Sequence, residues 1–76
     1  MDKSEIGSLC LQLQRTSTGA NAHTALKAAF YLNKLEKARI QGKIKEESFI
    51  KFVELVRGAV YRGEWKILKS RMTEWW

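Results

Sequence analysis

The chain has 76 residues, 45 % of them hydrophobic, with three Trp, three Phe and two Tyr. That is enough for one core and too little for two, because a chain this short buries only about 60 % of its unfolded surface. Its 14 Lys and Arg against 8 Asp and Glu leave a net charge of +6, which leans towards a polyanionic partner. The longest apolar runs, Ala28 to Leu32 and Ala59 to Tyr61, fall far short of the roughly 20 residues that cross a bilayer. A single cysteine and a single histidine exclude an intramolecular disulfide and a Cys/His zinc set. The start Met1-Asp2-Lys3-Ser4-Glu5 lacks the basic and apolar stretches of a signal peptide. The expectation is one soluble, cytoplasmic domain over residues 1–76, with no membrane span and no cofactor.

The first predicted element is a helix. Ile6, Leu9, Cys10 and Leu13 follow the i, i+3, i+4, i+7 spacing of one helical face, with Asp2 and Glu5 in capping-box spacing before them. The alternation within Leu9 to Gln14 suggests a strand instead, but a lone strand has no pairing partner. Cys10 on this face reads as core rather than as a reactive thiol. The small polar residues from Arg15 to Asn21, with Gly19 among them, mark a loop, and Thr18 or Asn21 is expected to cap the next helix.

That second helix runs from Ala22 to about Gln41. Ala22, Ala25, Ala29 and Leu32 lie on one side, flanked by Ala28 and Leu35, and the alanines invite close approach by a neighbouring helix. Gly42 suits a left-handed stop, with Ile44 placed to pack back on the helix end. A third helix starts near Lys45. Glu46 and Glu47 favour its N-terminus, and Phe49, Phe52, Val53, Val56 and Val60 form the clearest core stripe in the chain. Gly58 inside it costs about 1 kcal/mol relative to Ala and suggests close packing, while Gly63 is expected to end the helix. Trp65, Leu68, Met72 and Trp76 then form a last amphipathic face, with Trp75 beside it, unless one long helix continues through Gly63. The expected fold is therefore all-α, a compact bundle of three or four short helices.

The positive charge is uneven. Residues 21–43 hold five basic side chains (Lys27, Lys34, Lys37, Arg39 and Lys43) against one acid, Glu36, whereas residues 1–20 balance. On the second helix His23, Lys27, Phe30, Lys34 and Lys37 recur at i, i+4, i+7, i+11 and i+14, a single face opposite the alanines. Lysines so placed neutralise successive phosphates and release counterions, and an interleaved aromatic ring can stack on an unpaired base. The plain alternative is a solvated lysine face with Phe30 buried against a neighbour. Arg57, Arg62, Lys66 and Lys69 form a second, weaker basic set.

Ala38, Gly42 and Ile44 fit part of the pattern of helix-turn-helix DNA readers, over about sixteen residues. Lys43 and Ser48 then fall where apolar side chains belong, and Glu46 and Glu47 would turn carboxylates towards phosphates. The pattern does not identify a family. Trp75 and Trp76, with Trp65 and Met72, read first as core closure and second as a partner or dimer surface; a membrane-interfacial helix ranks last, because the segment is short and of mixed charge.

No nucleophile–base set and no glycine-rich phosphate loop is present, so an enzyme is not expected. The function expected is that of a small regulatory protein binding nucleic acid, duplex DNA before RNA, through Lys27, Lys34, Lys37, Arg39, Lys43 and Phe30. The alternative is a protein-binding adaptor or inhibitor working through Trp75 and Trp76. Phe30, Ile50, Leu55 and Ile67 lie off the main stripes, which adds the expectation of a homodimer.

Overall fold

A computed structural model describes the backbone of residues 3–16 and 19–75 and the side chains of residues 5–16 and 19–73. It contains four helices: α1 (Lys3–Arg15), α2 (Ala22–Ile40), α3 (Glu46–Arg62) and α4 (Trp65–Trp75). Among the described residues there is no strand, and the all-α bundle expected from the periodicity is what forms. Residues 9–14 are helical, and Leu11 shows why. Strand alternation would put Leu9, Leu11 and Leu13 on one face, whereas here Leu9 and Leu13 are buried and Leu11 is exposed.

α2 and α3 are the central pair. Both touch α1 and α4, which flank them and, among the described residues, make no close backbone approach to each other. The core draws on all four helices: Ile6, Leu9 and Leu13 of α1, Ala25, Ala28 and Leu32 of α2, Phe49, Phe52, Val53, Val56 and Ala59 of α3, and Leu68 and Met72 of α4. Tyr31 of α2 leans on the Phe52 ring with centroids 5.2 Å apart and planes tilted by 40°, within the range of favourable aromatic pairs.

Three expected core positions are only partly covered. Ala22, Ala29 and Val60 are half-buried, while Thr24, Ala28 and Ala59 are buried in their place. The buried arc of α2 is thus rotated towards α3 and α4. Cys10 is likewise half-buried at the core's edge, where its thiol lies 3.8 Å from the Asn33 Oδ1. Burial pushes that thiol up from its ordinary pKa, and the Glu36 carboxylate adds to the effect, so the reactive thiolate is disfavoured.

The helix ends follow the glycines. Gly42, at φ +72°, closes α2 in a Schellman arrangement: the Lys43 N–H donates to the Ala38 carbonyl at 2.8 Å and the Gly42 N–H to the Arg39 carbonyl at 3.0 Å. Ile44 then packs against the core. Gly63, at φ +71°, breaks α3 from α4, so no single helix runs through it. The carbonyl of Gly58 accepts the N–H groups of both Gly63 and Glu64. A side chain on Gly58 would come within 2.5 Å of the Glu64 Oε1 and 2.9 Å of the Arg62 Nη2. The close packing expected at Gly58 is therefore the Arg62–Glu64 ion pair folded back over the end of α3. The start of α2 departs from expectation: Asn21 occupies the capping position, but its side chain makes no capping hydrogen bond. Thr18 lies outside the described residues, as does the Asp2 half of the capping box.

Candidate functional site

The face of α2 turned away from the core carries His23, Phe30, Lys34 and Lys37 exposed and Lys27 half-buried. Phe30 is 65 % exposed, so it is not the buried neighbour contact of the plain alternative. At 1.5 Å per residue the three lysines span about 15 Å along the helix. Glu36, the only acid of α2, sits on the α1 side, close enough to Cys10 to raise its pKa. Among the described residues, no ion pair involves Lys34 or Lys37. The charges of Lys34 and Lys37 are therefore not cancelled by an ion pair among these residues.

Two of the expected phosphate contacts behave differently. Arg39 turns inward. Its guanidinium lies 4.9 Å from the centroid of the Phe49 ring and 3.8 Å from the Glu46 carboxylate, with its side chain 23 % exposed and its Nε buried without a hydrogen-bond partner. A cation–π contact of that kind holds the α2–α3 corner together, on the side of α2 opposite the lysine face. Lys43 is exposed but stands in the turn after α2, beyond the helical face that carries the others.

Half of the second basic set is spent within the protein. Arg57 pairs with Glu5 of α1 and with Glu54, the latter at 3.0 Å, and Arg62 pairs with Glu64 at 3.2 Å. Exposed pairs of this kind contribute at most about 1 kcal/mol each, but they cancel charge. Lys66 and Lys69 are exposed on α4. Lys69 meets α2: with Met72 and Thr73 it forms one wall of a cleft of about 60 Å³ whose other wall is His23, Thr24 and Lys27. Sequence reasoning misses this junction because it follows from how α4 crosses α2, not from spacing within either helix.

A second concave surface, of about 550 Å³, lies between α3 and α4. Ile50, Leu55 and Ile67 give it an apolar surface, and Lys51, Glu54, Arg62, Glu64 and Arg71 line it with charges of both signs. Among the described residues no group of three or more His, Cys, Asp or Glu comes together to hold a metal ion, and no helix is long and apolar enough to cross a membrane. Trp65 is half-buried against the core, whereas the side chains of Trp75 and Trp76 lie outside the described residues. No family model, no curated protein and no solved structure matches the chain.

Proposed function

We propose that the protein binds nucleic acid without catalysing a reaction, that duplex DNA is its favoured target, and that the exposed face of α2 meets the phosphates. A regulatory role, by occupying a site, follows from its small size. The observation that carries this reading is the acid-free run of His23, Lys27, Phe30, Lys34 and Lys37 along one exposed face, with Lys34 and Lys37 outside any ion pair of the described residues. Lysine–phosphate contacts displace condensed counterions, so binding must weaken steeply with salt. Fluorescence anisotropy with labelled duplex DNA, single-stranded DNA and RNA at 50 and 200 mM salt tests it. Duplex binding at 50 mM that falls at least tenfold by 200 mM supports the proposal; no binding to any of the three at 50 mM refutes it.

The α3–α4 surface favours a second role, a protein contact, and we place the homodimer interface there rather than on the tryptophans. Ile50 and Ile67 are exposed apolar side chains among Lys51, Arg62 and Arg71 on one hand and Glu54 and Glu64 on the other. A two-fold contact is self-complementary, and a rim that carries both signs offers opposite charges to its own copy. Sedimentation at micromolar concentration is expected to show a dimer that Ile67→Asp converts to monomer. A monomeric wild type removes the dimer and leaves single-site nucleic-acid binding intact.

A further inference from the structure

Among the described residues the N-terminus of α2 has no local compensation. Its first turn holds no acid, and Asn21, at φ −99° and ψ 4°, does not fold its side chain back to cap it. The Ala22 N–H bonds to the Gly19 carbonyl and the Ala25 N–H to the Asn21 carbonyl, but among the described residues the N–H groups of His23 and Thr24 have no backbone acceptor. These two donors carry the positive end of the helix macrodipole.

A second observation, independent of the helix end, points to a ligand at the same place. Thr24 is the buried polar residue of the core, only 8 % exposed, and its hydroxyl takes part in none of the side-chain hydrogen bonds among the described residues. The hydroxyl is not sealed from solvent, since among the described residues the buried side-chain polar atom without a partner is the Arg39 Nε, and the surface that Thr24 retains lies on the α2–α4 cleft. Across that cleft the Thr73 hydroxyl is engaged with the Lys69 carbonyl at 2.9 Å, so it does not supply the missing partner. His23, Lys27 and Lys69 stand around the opening, and its volume of about 60 Å³ suits one tetrahedral oxyanion and not a nucleobase.

We propose that this cleft is a phosphate site, in which the His23 and Thr24 N–H groups and the Thr24 hydroxyl donate to the phosphate oxygens and Lys69 supplies charge from α4. Helix N-termini bind phosphate in this way when the backbone donors are free and cations are near. The inference deepens the nucleic-acid reading, on which the assignment to a backbone phosphate rests: the cleft adjoins the Lys27 end of the exposed α2 face, so one strand can lie along the lysines and seat a phosphate at the helix start. The shared chemistry is a phosphate group, supplied either by nucleic acid or as free inorganic phosphate.

Nitrogen-15 NMR of the full chain separates these sources. Inorganic phosphate and a short DNA duplex are titrated in separate samples, with ionic strength held constant by chloride. The expected result is saturable movement of the His23 and Thr24 amide signals. Thr24→Val is expected to weaken that response about tenfold through loss of a charge-assisted hydrogen bond, while Thr24→Ser, which keeps the hydroxyl, restores it. Saturation by the duplex, with or without inorganic phosphate, supports a backbone-phosphate site. Saturation by inorganic phosphate alone keeps the site but refutes its assignment to nucleic acid. Movement confined to Lys34 and Lys37 on adding duplex overturns the site while leaving the lysine-face reading standing. Overturned too is a site whose Thr24→Val variant folds and responds as wild type does, or whose shifts with both titrants rise without saturating.

Discussion

Replacing Phe52 by Ala is expected to destabilise the protein by about 3 to 5 kcal/mol. Phe52 is fully buried at the centre of the α3 stripe, and its ring also supports Tyr31 across the α2–α3 interface. The substitution therefore loses transfer free energy, leaves a cavity and removes an aromatic contact. A domain of this length has a total stability of about 4 to 11 kcal/mol, at 0.05 to 0.15 kcal/mol per residue, so the loss is a large share of the whole. At roughly 4 to 8 °C per kcal/mol for a domain of this size, the melting midpoint falls by at least about 12 °C. Phe30→Ala is the matched control. The chemistry is identical, but Phe30 is 65 % exposed, and a surface change of this kind stays within about 0.5 kcal/mol. Circular dichroism melts of the two variants decide the matter: midpoints within a few degrees of each other would mean that the α3 stripe is not the core.

That contrast between two phenylalanines is legible in the amino-acid sequence, because a helical face declares itself in the spacing of its own residues. Phe49, Phe52, Val53 and Val56 repeat with the helical period and are buried, and Phe30, seven residues from Lys37 on the lysine face, is not. Gly42 and Gly63 are legible for a local reason as well, since both helix ends need positive φ. What the spacing does not reveal depends on contacts between elements. Arg39 counts by composition with the basic residues of α2, yet it lies seven residues from Leu32 and four from Leu35, on the core side of the helix, and the packing of α3 against it supplies Phe49 and Glu46. Arg57 loses its free charge to Glu5 at the other end of the chain. Thr24 is hidden differently. The alanines suggest an arc centred on Ala25 and Ala29, which leaves a threonine beside it unremarked until α4 covers it.

The lysine face leads to the second large effect. Changing Lys34 and Lys37 together to Ala should flatten the logarithmic salt dependence of duplex binding by about 1.8 units, at roughly 0.9 per neutralised phosphate. At 0.1 M salt that corresponds to about a 60-fold loss of affinity if the counterion term is all that each lysine adds. Both side chains are exposed, so the melting midpoint should hardly move, which separates a lost contact from a lost fold. Lys27 is a poorer member of the set to change, because it is half-buried and already engaged within the protein. Arg39→Ala should behave in the opposite sense to the lysine pair: removing its contact with Phe49 loosens the α2–α3 corner and lowers stability, with little change in salt slope. Phe30→Ala adds the remaining discrimination. If its ring stacks on an unpaired base, binding to single-stranded DNA weakens by about 1 to 3 kcal/mol while duplex binding is unaffected, since paired bases offer no free face. A double variant of Lys34 and Lys37 that binds duplex with the wild-type slope would show that these lysines are only solvated. The phosphate contacts would then have to come from other exposed basic residues, Lys43, Lys66 and Lys69 among them, off the central face of α2.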